Sequence, residues 1–323
     1  MPLVESEFRS PHWLPGGHLQ TLYPFFFRRL SLASEPVEIA TPDGDRLVAD
    51  WYPPPDRTAP LLLIAHGMEG NSQRPYVLGL AQAAQRQGFA VLAWNLRGCG
   101  RQDNLLPKSY YAGCSDDLNA VIEWGRAQHA GPVVLSGFSM GGNITLKWLG
   151  EAGDQAARLG VKAAATVAVP CDLMGCNTEL EKPTNTLYRR RFVRDLRRRL
   201  RAKALRFPTE FDLRPLEDIR TVRQFDDHYT APMHGFRDAA HYYSECSANG
   251  FLETIRVPTL MLNARNDPFL SGSCFPTQLA ERHDWLWLEQ PATGGHVGFY
   301  AANGYFWESE RLAVFLRQQL ATE

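Results

Sequence analysis

Gly137-Phe138-Ser139-Met140-Gly141 spells G-x-S-x-G, and its neighbours give that pattern a mechanical meaning. Before it, Pro132-Val133-Val134-Leu135-Ser136 is a short apolar run rich in β-formers, the reading for a buried strand. After it, Gly142-Asn143-Ile144-Thr145-Leu146-Lys147-Trp148-Leu149 reads as the opening of a helix. A serine on that corner is forced into a strained turn, and small residues two positions either side let the turn close. Its hydroxyl then points out of the sheet, near the positive end of a helix dipole that favours developing negative charge. The pattern alone also fits an ordinary turn serine in a glycine-rich loop. The strand–turn–helix setting selects the nucleophile.

Working outward, residues 37–41 and 46–51 flank Pro42-Asp43-Gly44-Asp45 and predict a β-hairpin, ended by Pro53-Pro54-Pro55. Residues 61–65 and 90–94 are apolar throughout, as strands buried on both faces are. Further strands are expected at 163–169, 259–263 and 285–289. Helical periodicity covers 78–87, 115–129 and 307–320, with Ser115 placed to cap its helix and Asp116 and Asp117 in the first turn. Strands alternating with helices imply an α/β fold: a mostly parallel central sheet with helices on both faces and the N-terminal hairpin as an antiparallel edge.

The 323 residues read as a single domain, with a helical cap inserted at approximately 172–235, where the strands are too far apart for a normal crossover. Within the cap, residues 187–206 are intensely basic, while Phe192, Val193, Leu196, Leu200 and Leu205 recur at helical spacing. The arginines are expected to be a solvated helix face balanced by acids elsewhere; the alternative is a face for an anionic membrane surface or an acidic substrate.

Composition excludes several classes. A net charge of −1 gives no reason to expect a nucleic-acid partner. Six cysteines without C-x-x-C or close pairing favour reduced thiols and a cytoplasmic setting. The first residues lack the basic start and apolar run of a signal peptide. No apolar segment approaches the roughly 20 residues that span a bilayer. Tyr23-Pro24-Phe25-Phe26-Phe27-Arg28-Arg29 is expected to pin an N-terminal arm onto the core, with transient membrane-surface contact through Phe25–Phe27 as the alternative.

A serine nucleophile needs a base, and the base an orienting acid, in the chain order serine, acid, histidine. After Ser139 the histidines are His228, His234, His241, His283 and His296. The first three precede the next sheet strand, and His283 sits at a helix end. His296, in Thr293-Gly294-Gly295-His296-Val297-Gly298-Phe299, follows the last strand in a loop whose glycines let the imidazole approach the serine. It is the candidate general base. Asp267 follows a strand directly, with Pro268 behind it, and is the favoured acid; Asp172 is the competing strand-end carboxylate. Two backbone donors should hold the oxyanion: the Met140 amide and the Met68 amide of His66-Gly67-Met68-Glu69-Gly70, with His66 structural.

These segments resemble the YheT-like branch of the α/β-hydrolase superfamily, esterases of the AB hydrolase family 4 type. Outside the site, Gly17-His18-Leu19-Gln20-Thr21-Leu22, Asn95-Leu96-Arg97-Gly98-Cys99-Gly100 and Phe225-Asp226-Asp227-His228-Tyr229-Thr230-Ala231-Pro232 carry the same likeness, which runs over nearly the whole chain. Gln102 departs from it, where a small serine-like residue is expected. The resemblance implies hydrolysis of carboxylic esters, with Ser139, Asp267 and His296 as triad. No cofactor or metal is called for, since G-x-x-x-x-G-K-[ST], H-E-x-x-H and clustered cysteines are absent from the sequence. Leu187, Phe192, Leu205 and Phe207 are expected to roof a pocket for short- to medium-chain acyl groups. An acyltransferase on the same triad and a non-enzymatic binding scaffold are the competing readings.

Overall fold

The computed structural model describes residues 3–54, 56 and 58–321; Met1, Pro2 and Pro55 of the segments read above lie outside them. The N-terminal part runs β1 (Leu3–Val4), α1 (Gly16–Phe27), β2 (Glu35–Ala40), β3 (Arg46–Tyr52), β4 (Leu61–Ala65), α2 (Pro75–Arg86), β5 (Ala90–Trp94) and α3 (Ser115–Gln128). Next come β6 (Val133–Phe138), α4 (Met140–Ala152), α5 (Gln155–Arg158) and β7 (Val161–Val167). Helices then dominate: α6 (Leu173–Glu181), α7 (Thr186–Arg206), α8 (Val222–Phe225), α9 (Ala231–Met233) and α10 (Ala239–Cys246). The chain returns through β8 (Thr259–Leu262), α11 (Thr277–Arg282), β9 (Leu286–Glu289) and α12 (Trp307–Ala321).

One sheet takes the order β1-β9-β8-β7-β6-β4-β5-β3-β2. The β2–β3 and β3–β5 pairs are antiparallel, and the remaining neighbours are parallel. Alternation along the central strands explains why helices cover both faces. Leu61, Leu63, Leu92 and Leu135 pack on one side with Leu118 and Ile122 of α3 and Ile144 of α4. Leu62, Ile64, Val91 and Val134 pack on the other with Val77 and Leu80 of α2 and Leu312 of α12. Neighbouring side chains on a strand point to opposite faces, so a continuous apolar run requires two cores.

Two local expectations are corrected, and one strand is added. Ser115 is the first helical residue of α3 rather than its cap, which falls on Cys114 and has no side-chain bond. The short strand β1, beside β9, has too little sequence to announce itself. Residues 16–27 are a helix, and the aromatic cluster pins it only in part: Tyr23 packs on Tyr300 at 4.8 Å and Pro24 is buried, whereas Phe25, Phe26 and Phe27 are exposed.

Polar contacts hold α1 as well. The Arg28 guanidinium, just past its end, donates to Glu308 at 2.6 Å and to Ser309 at 2.8 Å, both on α12, and lies 4.0 Å from the Phe306 ring. Both ions are buried, with side-chain exposures of 3% and 0%. Removing one partner strands the other charge in the interior, so Glu308→Ala is expected to lower the unfolding free energy by about 3–5 kcal/mol. Glu310→Ala, whose partner Arg86 is half exposed, should change it by only about 0–1 kcal/mol. Urea denaturation of both variants checks the contrast.

Candidate active site

β6 delivers Ser139 to the corner at φ 52° and ψ −121°, a left-handed backbone that a residue with a Cβ rarely adopts. The Ser139 amide donates to Val167 O at 2.8 Å, and its carbonyl accepts from Asn143 N at 3.1 Å. The turn closes tightly enough that a Cβ on Gly137 would fall 2.3 Å from Gly141 O, and one on Gly141 2.5 Å from Ala65 O. Both positions therefore need glycine.

The ends of β4, β6, β8 and β9 lie at one edge of the parallel sheet, where α/β folds place their sites. Ser139 Oγ lies 2.9 Å from His296 Nε2, and His296 Nδ1 lies 2.7 Å from Asp267 Oδ2. With Nδ1–H donating to the carboxylate, Nε2 is left to accept the serine proton. The Asp267 side chain is fully buried, and its other oxygen accepts from Phe269 N at 2.8 Å. Asp172, the competing acid, caps α6 by accepting from Gly175 N at 2.9 Å and also accepts from Ser273. His241 accepts from Arg237 N and His283 from Trp285 N, while His228 sits beside Tyr229 in a π-turn. His234 lines the same cavity as Ser139 but stacks on Tyr111 at 4.1 Å, and burial lowers its pKa to about 4.

Met68 and Met140 line the cavity beside Ser139, and among the described residues their amides donate to no protein acceptor. Two backbone donors beside Ser139 are thus free to meet an acceptor oxygen in the cavity. The loop carrying Met68 is held from several sides. Tyr76 accepts from Gly67 N at 3.1 Å, Tyr110 accepts from Glu69 N at 3.1 Å, and Arg199 of α7 grips Glu69 at 2.9 and 3.0 Å. His66 is fully buried, with Nδ1 donating to Gly67 O at 2.7 Å and Nε2 accepting from Leu96 N at 3.1 Å. Burial holds it neutral, its pKa lowered to about 3.

Sequence reasoning quoted Gly17–Leu22 for its likeness alone and missed what it does. Gln20 Oε1 accepts from Asn266 Nδ2 at 2.9 Å and from Gly294 N at 2.8 Å, while its Nε2 donates to Leu14 O at 2.9 Å. Thr21 Oγ1 accepts from His296 N at 2.8 Å and donates to Gly17 O at 2.7 Å. Gly17 approaches Asn266 so closely that a Cβ there would lie 1.8 Å from its carbonyl oxygen. The polar side of α1 thus suspends both the aspartate and histidine loops. The available signal was Gln-Thr in the middle of an otherwise apolar, aromatic helix.

Over Ser139 and His296 lies a cavity of about 490 Å³, bounded by α1, α6, α7 and the segment around α8 and α9. That size accommodates a drug-sized ligand. Its roof differs from the expected one. Phe192 is joined by Leu196 and Leu200, whereas Leu187 and Leu205 are 76% and 86% exposed and Phe207 lies against Lys203 and Arg206. Residues 192, 196 and 200 share one side of α7, and 187 and 205 fall on the other. The lining includes Asp226, which accepts from Tyr243 at 2.6 Å and is pushed up to about 6 by burial. Gln102 is exposed and lines none of the cavity. All six cysteines are free and buried, and no described helix is long and apolar enough to cross a membrane.

With this geometry in hand, likeness to known proteins can be compared with it. A family described as the α/β-hydrolase fold matches residues 60–273. YheT of Escherichia coli, which carries the name of an esterase, is 33% identical over 303 residues, 91% of this chain and 87% of its own. Phospholipase ABHD3 of Mus musculus is 28% identical over 308 residues, 92% of this chain and 74% of its own. Among solved structures, the α/β hydrolase GrgF from Penicillium sp. sh18 has a TM-score of 0.59 at 21% identity, covering 90% of this chain and 100% of that one, a likeness of fold.

The neutral His66 has a pH signature. Its folded pKa is about 3 against an ordinary 6.5, so within that window the unfolded chain binds a proton that the folded one does not. Stability from this site is complete above the unfolded value and falls as pH drops, by about 1.4 kcal/mol per unit. Asp226, raised to about 6, acts with the opposite sign, losing its contribution as pH climbs from near 4 through 6. Comparison with His66→Asn isolates the first effect. The stability advantage of the unsubstituted protein should shrink by about 2 kcal/mol between pH 7 and pH 5 in urea denaturation; a constant difference would refute the assignment.

Proposed function

The chain belongs to the family that shares the α/β-hydrolase fold, and from that premise we propose that it is a serine esterase cleaving carboxylic esters of short- to medium-chain acyl groups. Ser139 Oγ attacks the ester carbonyl as His296 Nε2 takes its proton. Asp267 stabilises the resulting imidazolium, and the Met68 and Met140 amides hold the oxyanion. The carbonyl re-forms as the alcohol leaves with the proton from His296, giving an acyl-enzyme. His296 then deprotonates a water molecule that attacks the acyl carbon, and the acid departs as Ser139 regains its proton.

The observation that carries this reading is the hydrogen-bond chain from Ser139 through His296 to the buried Asp267, at the floor of an apolar cavity. The cavity volume supports the acyl range, and the names of the two relatives, an esterase and a phospholipase, support an ester of lipid metabolism. The chemistry needs no cofactor. The free cysteines support a reducing, cytoplasmic setting.

Hydrolysis of a p-nitrophenyl ester series from acetate upward tests chemistry and chain length together. Activity is expected on the short and medium members, with Ser139→Ala losing about 10⁶-fold and Asp267→Asn about 10⁴-fold. A rate rising steadily toward long-chain, micellar esters would sink the acyl range. Failure of a fluorophosphonate to label Ser139 in the folded protein would sink the nucleophile and leave the binding-scaffold reading. Ester products formed with added alcohols would assign acyl transfer.

A further inference from the structure

Helix α1 has its polarity inside out: Leu19, Phe25, Phe26 and Phe27 are 48%, 47%, 54% and 66% exposed while Gln20 is buried. Burying its polar side serves the histidine loop, and the consequence is an aromatic face turned to solvent. The N-terminal half of α7 adjoins it. Tyr188 stacks on His18 at 5.8 Å, and the Arg191 guanidinium lies 4.2 Å from the Phe25 ring. From Leu187, a solvent-facing stripe continues through Arg190 and Arg194 at helical spacing, and Arg29 is exposed just after the aromatic run.

The two halves of α7 differ in how their charge is met. In the C-terminal half, Arg197 and Arg201 pair with Glu217, Arg199 with Glu69, and Lys203 and Arg206 with Asp103. That half fulfils the expectation of a face balanced by acids. The N-terminal half relies on Asp195, which Arg191, Arg194 and Arg198 share. Among the described residues Arg190 and Arg29 make no ion pair. The surplus positive charge therefore sits beside the exposed aromatics. The cavity reaches this side too: of its lining residues, Phe25 and Arg29 are the most exposed.

We propose that this face docks on an anionic lipid bilayer, with the aromatic side chains at the headgroup–acyl boundary and the arginines on lipid phosphates. The cavity would then draw its substrate from the bilayer, a consequence that rests on the esterase reading, although the docking itself does not. Aromatic anchors beside a basic rim match such a surface in both apolarity and charge. A second copy of the chain fits worse, because a two-fold pairing of this face sets Arg29, Arg190 and Arg194 against their own counterparts. A protein partner seated there would close the cavity.

The test is flotation of the full chain with vesicles of phosphatidylglycerol and phosphatidylcholine in equal parts, against pure phosphatidylcholine vesicles. Binding is expected on the first and several-fold less on the second, with added salt weakening it. Phe26→Glu/Phe27→Glu should lower partitioning by about tenfold or more while leaving the rate on a water-soluble ester within about twofold. Ser139→Ala should float as the unsubstituted protein does, and an unsubstituted protein that floats but hydrolyses no ester would refute only the reaction. Absence of flotation, binding indifferent to lipid charge, or binding unchanged by the double substitution overturns the proposal. A dimer in light scattering that the same substitution dissolves would assign the face to a second copy and overturn it as well.

Discussion

Ser139 is held at φ 52°, and that single backbone conformation sets the terms for the residues around it. Such a conformation costs on the order of 1–3 kcal/mol and persists only where the surroundings over-determine it. Here they do: β6 and α4 meet so closely that residues 137 and 141 have no room for a Cβ. The Ser139 amide is tied to β7 and its carbonyl to the first turn of α4. The helix then begins one residue after the serine, so its free amides face the place where charge would develop.

Ser139 Oγ meets the imidazole, but that corner does not deliver it. His296 arrives on a loop beyond β9, and its position comes from the polar side of α1 through Gln20 and Thr21, together with Asn266. An N-terminal helix that buries glutamine and exposes phenylalanine conflicts with the usual amphipathic rule, and such conflicts are expected where function competes with packing. Its far end is secured by a buried ion pair to α12. Local rule-breaking in α1 is therefore compensated twice, by mid-helix hydrogen bonds to the site and by Arg28 past its end.

The cap links to the sheet by charge as much as by packing. Val193, Leu196 and Leu200 of α7 form a small core with Leu216, Ile219 and Val222. Across the cavity, Arg199 reaches the loop between β4 and α2 and pairs with Glu69, itself at φ 53°. A guanidinium that grips a carboxylate bidentately fixes orientation as well as distance. The helix that roofs the cavity and the loop that carries Met68 are thus mechanically joined.

The central sheet was legible because its strands are short, largely apolar runs between turn signals: residues 61–65 and 90–94 are strands to the residue. The G-x-S-x-G corner was legible for the same reason, since both flanking elements announce themselves locally. The pairing of Ser139, His296 and Asp267 followed from chain order and strand ends, although only the folded chain brings residues 128 positions apart in the order Ser139, Asp267 to one imidazole. What local pattern left undecided was orientation. Leu187 and Leu205 share α7 with Leu196 and Leu200, and the sequence marks all four as apolar; which lie over the cavity depends on how the helix is rotated against the sheet. The same holds for Phe25–Phe27, whose exposure follows from α1 turning Gln20 and Thr21 inward to meet a loop far along the chain. Sequence by itself determined the elements, the strand–serine–helix corner and the identity of the residues hydrogen-bonded to it, because these rest on spacing along one strand or turn. Tertiary structure alone decided which face each helix presents, because that depends on contacts between segments hundreds of residues apart.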